Sequence, residues 1–196
     1  MILEGIVTTT DRAGKINIAP MGPDVHPGMA HFLLRPFPSS QTYQNLRVHG
    51  EGVFHVTDDV LLLAKAALGP VEPEPAVFPA SAIDAWILRD SCRYYEFRVG
   101  SIDDSQERVR IEVDVVASGR QRDFFGFNRA KHAVVEAAIL ATRIHLLPME
   151  EIEVEYRKLG VMVQKTGGDQ EQQAFALLRA HVAQVAQNRR PKAGTS

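Results

Sequence analysis

The sequence predicts an α+β fold, a β-barrel with added helices, and three features predict it. Short β-prone segments separated by turn residues fill the first half. A hairpin with clear period-two alternation at Val109, Ile111, Val113 and Val115 follows. From Asn128 onward the apolar period changes to three and four, the spacing of one helix face. These features divide the 196 residues into a barrel core over 1–127, C-terminal helices over 128–190 expected to pack on it, and a tail over 191–196.

Ile2 to Thr10 and Lys15 to Ala19 are the first two strands, and Asp11-Arg12-Ala13-Gly14 closes a hairpin between them with turn-forming Asp and Gly. His31 to Leu34 and Gly52 to Thr57 read as further strands. Between these, Ser39 to Val48 follows Pro36-Phe37-Pro38 and opens with hydroxyl residues that can accept from the free N–H groups of a helix N-terminus. Asp58-Asp59 precedes the apolar run Val60 to Leu68, and Gly69-Pro70 stops it, so a second helix is expected there. Gly69 to Pro79 contains Pro70, Pro73, Pro75 and Pro79, each without an N–H and with φ fixed, and reads as an ordered loop. Tyr94 to Ile102 and Val109 to Ala117 form the closing hairpin of the barrel, with Asp103 to Gln106 at its tip. Ala133, Val134, Ala137, Ala138, Leu140, Ala141 and Ile144 then stripe a helix expected over 128–147, ahead of Pro148. Glu150 to Gln164 and Gln170 to Asn188 are two more helices, separated by Thr166-Gly167-Gly168-Asp169. The basic segment Arg189 to Ser196 is expected to fray.

Twenty-two Lys and Arg against 24 Asp and Glu leave a formal charge of -2. No overall field draws such a chain onto nucleic acid or an anionic membrane, so neither is expected as a partner, and an anionic ligand must be held by local groups. The first residues lack a basic n-region and an h-region, and no apolar run approaches the ~20 residues that span a bilayer, so the expected address is cytoplasmic. Cys92 is the one cysteine. It can form no intrachain disulfide, has no catalytic-triad context, and reads as a packed thiol. His26 and His31 are separated by Pro27-Gly28-Met29-Ala30, which matches no zinc spacing, and no metal is expected.

Two stretches carry functional signal. One runs from Glu4-Gly5-Ile6-Val7-Thr8-Thr9-Thr10 through Asn17-Ile18-Ala19-Pro20-Met21-Gly22, the other from Arg35 through Ser39-Ser40-Gln41-Thr42-Tyr43-Gln44-Asn45-Leu46. In order and spacing they resemble the flavin reductase-like split barrels, where a hairpin runs into an Asn-x-Ala-Pro type segment, then a strand, then a Ser/Thr-x-x-Asn turn that opens a short helix. The nearer resemblance is to an uncharacterised prokaryotic family of FMN-binding split barrels, known only as a domain of unknown function. It extends through Phe127-Asn128-Arg129-Ala130-Lys131-His132 to Thr142-Arg143. The resemblance implies an FMN-binding split barrel plus a C-terminal helical region, FMN as cofactor, and a homodimer whose flavin pocket is completed by the neighbouring subunit.

The residues can be read against the demands of FMN, which presents a phosphate dianion, a polar ribityl chain and a flat ring with a hydrogen-bonding edge. Arg35 offers a planar fork for two phosphate oxygens, and Ser39, Ser40 and Thr42 sit where a helix N-terminus adds N–H groups and hydroxyls. Asn45 lies one turn further on. Asn17 and the backbone at Ala19 and Pro20 would run beside the ring, and Thr57 and Asp58 are candidates for the ribityl chain or the phosphate surroundings. Asn128, Arg129, His132, Glu136 and Arg143 form a second polar set that suits either a substrate pocket or an ion-pair network at a dimer interface.

The expected activity is that of an FMN-dependent oxidoreductase acting on a small molecule that the sequence does not identify. The alternatives are a flavin carrier or sensor without turnover, and a barrel holding another planar ligand such as haem or a pterin.

Overall fold

Buried and exposed side chains alternate along the long strand β9 (Arg110–Arg120), which pairs with the equally long β8 (Arg93–Asp103), and this alternation gives the sheet one core face. The structure is a computed structural model that describes residues 1–189. The tail expected over 191–196, and the rest of the basic segment after Arg189, lie outside the described residues. Around the long hairpin stand β1 (Gly5–Thr10), β2 (Ile16–Met21), β3 (Asp24–Val25), β4 (His31–Leu34) and β5 (Glu51–Val56), in the order β2-β1-β5-β8-β9-β4-β3. Every pairing is antiparallel.

The sheet curls until its far side returns to the chain start. Ile2 bridges Asp24, Leu3 N–H donates to the Pro23 carbonyl at 3.1 Å, and Val25 N–H donates to that of Met1 at 2.8 Å. β2 stays outside this closure as an edge strand, half-buried along its whole length, so the barrel is split at β2. Inside lie Val7, Phe32, Phe54, Phe97, Ile111 and Val113, and helix α1 (Gln41–His49) adds Tyr43 and Leu46. Phe32 meets Phe54 and Tyr95 edge-on with ring centroids 5.6 Å apart in both cases, the arrangement that ring quadrupoles favour.

Gly5 is required by close approach. A Cβ there would stand 2.3 Å from the His55 carbonyl oxygen and 2.7 Å from the Phe54 ring. Gly5→Ala is therefore expected to destabilise the fold by ~1 to 3 kcal/mol, as overpacking does, read as a lowered urea midpoint at unchanged slope. A midpoint equal to that of the parent would show that β1 and β5 can separate at no cost.

The proline-rich loop expected over 69–79 is corrected at its end. Val77–Pro79 forms β6 and pairs with β7 (Trp86–Leu88) in a separate two-stranded hairpin. Pro79 is tolerated because it ends an edge strand, where a missing N–H breaks no interior ladder. β7 carries no signal of its own in the sequence reading, since three residues are too few to display a period. Ile87 packs with Val53 on the outer face of β5. The turn after β6 is gripped by the buried Glu96, whose carboxylate accepts from Ser81 N–H, Ser81 Oγ and Ala82 N–H.

The described chain divides into two compact units, residues 1–58 with 70–125, and residues 59–69 with 126–189. The second contains α2 (Val60–Leu68), α3 (Arg129–Thr142), α4 (Met149–Thr166) and α5 (Asp169–Arg189). α2 packs against α3 and α5, although barrel strands flank it in sequence. Lys131 and Glu171 form an ion pair of 2.7 Å between α3 and α5 with both side chains largely buried. α3 ends at Thr142 and not at 147, because Arg143 N–H turns back to the Leu140 carbonyl at 3.1 Å and tightens the last turn. No helix among the described residues is long and apolar enough to cross a membrane.

Candidate functional site

α1 begins where the sequence places hydroxyl residues. Ser40 is its N-cap, and its Oγ accepts from Tyr43 N–H at 3.2 Å. The next turn of the helix carries Thr42 and Asn45 inward, both buried. The β1–β2 register sets Asn17 opposite Thr9, and this pair meets the helix. Asn17 Nδ2 donates to Thr42 Oγ1 at 3.1 Å and to Thr9 Oγ1 at 3.3 Å. Asn45 Nδ2 donates to the same Thr9 hydroxyl at 3.0 Å, and Gln41 Nε2 donates to Asn45 Oδ1 at 2.7 Å. Three predicted residues, Asn17, Thr42 and Asn45, are thus joined in one network of uncharged donors and acceptors. Its hub is Thr9, one of the three threonines that end β1. Standing in the run Thr8-Thr9-Thr10, it has no signal in the sequence that sets it apart.

Arg35 and Ser39 are exposed just upstream of α1, free of the core. Beside them stands Arg108, with no signal in the sequence because it arrives from the β8–β9 hairpin. Its guanidinium carbon lies 3.9 Å from the Phe37 ring centroid, and Nη1 donates to the Arg35 carbonyl at 3.4 Å. No acidic residue occupies the first turn of α1. Arginines, a serine hydroxyl and a helix N-terminus together form an anion-favouring surface.

Ala19 and Pro20 follow Asn17 along the edge strand, opposite Val7 and Ile6. Thr57 and Asp58 stand apart from the network. β5 pairs Ile6 with His55, so they extend past the Gly5 end of β1, about five to six residues or roughly 17 to 20 Å along the strand from Thr9. Asp58 is buried and committed. Its oxygens accept from Arg122 Nη2 at 2.6 Å and from Phe125 N–H at 2.7 Å, while Arg122 Nε donates to Asp90 at 2.8 Å. The Asp58 hydrogen bond, then that of Asp90, push the Arg122 pKa up and keep it charged.

In the helical unit, Asn128 is the N-cap of α3. Its Oδ1 accepts from Ala130 and Lys131 N–H, and its Nδ2 donates to the Thr166 carbonyl at 3.1 Å. Arg129, His132, Glu136 and Arg143 are exposed. His132 and Glu136 approach to 3.8 Å with side chains 71% and 48% exposed, a pair worth at most ~1 kcal/mol in this setting. Among the described residues no cluster of three or more His, Cys, Asp or Glu could hold a metal. Cys92 is buried, and burial raises its thiol pKa, as for a packed residue.

Two family models match the chain in succession. The N-terminal domain of a protein of unknown function, DUF447, matches residues 3–122, and a second DUF447 model matches residues 128–180. No curated protein matches. Among solved structures, an FMN-bound DUF447 protein from Methanosarcina mazei is similar at 22% identity, with a TM-score of 0.80 over 92% of this chain and 94% of that one. A 2-nitrobenzoate 2-nitroreductase of Pseudomonas fluorescens is similar at 18% identity, with a TM-score of 0.52 over 60% of this chain and 64% of that one. The flavin reductase of a styrene monooxygenase from Pseudomonas putida S12 is similar at 12% identity, with a TM-score of 0.51 over 60% and 77% respectively. At such identities the likeness establishes the fold, the split barrel of the flavin reductases.

Proposed function

This chain belongs to the DUF447 family, and from that premise we propose that it is a cytoplasmic FMN-binding protein that works as a homodimer and serves as an oxidoreductase. The observation that carries the reading is the network of Thr9, Asn17, Thr42 and Asn45, set at the N-terminal end of α1 beside an open strand edge. The FMN-bound relative from Methanosarcina mazei supports it. The residues present fit the group. Arg35, Ser39, Ser40 and the α1 N-terminus meet a phosphate dianion with positive charge and donors, with no carboxylate in the first helical turn to repel it. Ala19 and Pro20 offer backbone along the ring edge without a charged side chain. Asn17 has its Nδ2 committed to two hydroxyls and keeps Oδ1 as the acceptor it can present to a ligand. Thr57 and Asp58 lie away from the network and the α1 N-terminus, so they would meet the ribityl chain or the phosphate surroundings only where the ligand extends toward the Gly5 end of β1.

FMN, when bound, supplies hydride and electron transfer. The task of this chain is to hold the flavin and orient its ring, and the network contains no ionisable side chain that would act as acid or base.

A second subunit is supported by exposed apolar surface on the barrel unit, where Phe124 and Phe125 are 49% and 75% exposed. Arg129, His132, Glu136 and Arg143 then face either the partner or the substrate.

The test is an absorption spectrum of the purified protein with and without FMN, run beside sedimentation. Bound flavin and a dimer are the expected result. A colourless protein that leaves added FMN unchanged at micromolar concentration sinks the reading, and a fully loaded monomer sinks the dimer. Reduction of the bound flavin by NADH or NADPH separates an oxidoreductase from a carrier or sensor.

Asn17→Ala is expected to alter the flavin spectrum and reduction potential while weakening affinity by only about tenfold, since it removes a ring-side contact and no phosphate contact. An unchanged spectrum with a much larger loss of affinity would place Asn17 at the phosphate.

A further inference from the structure

The helical unit contains a groove of about 680 Å³ along one side of α4 and α5, within the size range of small-molecule sites. Its floor is built by Tyr156 and Phe175, whose rings lie 5.6 Å apart, with Gly160, Val161 and Ala176 beside them. Gly160 keeps the helices close here, because a Cβ would stand 3.3 Å from the Phe175 ring. The Tyr156 hydroxyl is already spent on the Ala137 carbonyl at 2.7 Å, which leaves the floor apolar.

The rim is charged. Gly160 meets Phe175 across the helix pair, and the chain reverses between α4 and α5, so Arg157 and Arg179, each one turn further from the reversal, come to the same level of the groove. Ion pairs of this unit include Lys131–Glu171, His132–Glu136 and Lys158–Glu155. Neither groove arginine takes part in them. Two guanidinium forks therefore flank an apolar floor. Glu153 shares the lining, so two positive charges stand against one negative, a balance that favours a monoanion over a phosphate dianion.

We propose that this groove binds a small monocarboxylate with an apolar, preferably aromatic, body, its carboxylate held between Arg157 and Arg179 and its body laid on Tyr156, Gly160 and Phe175. The site is distinct from the FMN residues and does not depend on that reading.

The test is isothermal titration of the full chain with 4-phenylbutyrate and with its neutral counterpart, 4-phenylbutanol. The acid is expected to bind at least about tenfold more tightly, the value of one or two charge-assisted hydrogen bonds. Arg157→Gln with Arg179→Gln should abolish that difference. Ala176→Leu should weaken both ligands, with thermal melting as the control on folding. Titration with FMN should be unchanged in all of these variants, so a failure here is separable from a failure of the flavin reading. Equal binding of acid and alcohol, or binding of neither at millimolar concentration, overturns the proposal. So does conversion of a dimer to a monomer by the arginine substitutions, which would assign the groove to a second copy of the chain.

Discussion

Arg35→Ala combined with Ser39→Ala is expected to weaken FMN binding by at least ~100-fold while leaving riboflavin binding within a few-fold of the parent. The size follows from two lost phosphate contacts, each worth ~1.5 to 3 kcal/mol when one partner is charged. Both side chains are exposed, so the core of Phe32, Phe54 and Phe97 is untouched and the urea midpoint should not move. Thr42 is a poorer target. It is buried and accepts from Asn17, so its loss would mix a stability cost with a binding cost. Parallel titration with FMN and riboflavin is the deciding measurement. Equal losses for the two ligands would remove the phosphate from this end of α1. Arg108 provides an internal comparison, since it stacks on Phe37 beside Arg35, and its replacement by Gln should give a smaller loss of the same kind.

Stability is expected to fall by about 3 kcal/mol between pH 6.5 and pH 4, because of His55. The ring is fully buried. Its Nδ1 lies 3.2 Å from the Ile6 carbonyl and its Nε2 accepts from Leu88 N–H at 3.0 Å, so the neutral tautomer protonated on Nδ1 satisfies both partners. A second proton would find no acceptor at Nε2 and would face Leu88 N–H. Burial accordingly lowers the pKa from 6.5 to about 4, partly opposed by the Ile6 and Val53 backbone. The unfolded chain then binds the proton more readily than the folded one throughout this window. Stability is full above pH 6.5 and is lost as pH falls through about 4. His55→Gln, which cannot take a charge there, should flatten the profile. Urea unfolding at intervals from pH 7 to pH 4 checks it, and a parent profile already flat over that range would mean that the ring is hydrated in the folded state.

The candidate site was partly legible in advance because its pieces are local. Ser40 as a cap, Thr42 and Asn45 on the following turn, and Asn17 beyond the first hairpin follow from short-range patterns of hydroxyl, amide and turn residues. The contacts that organise the site are long-range. Thr9 meets Asn45 across 36 residues, Arg108 reaches Arg35 across 73, and Arg122 reaches Asp58 across 64. No periodicity encodes such meetings, since they depend on strand register and on closure of the sheet.

By itself the sequence determined the identity of most elements: the β-rich first half, the long hairpin, and five helices, expected at 39–48, 60–68, 128–147, 150–164 and 170–188 and found at 41–49, 60–68, 129–142, 149–166 and 169–189. Alternation, caps and breakers act between near neighbours and need no knowledge of the fold. Only the tertiary structure decided that Val77–Pro79 becomes a strand, that α2 joins the later helices, and that β2 is left as the open edge. Each of these depends on which distant surface is available to cover an apolar face or pair a strand, and that surface exists only once the chain has folded.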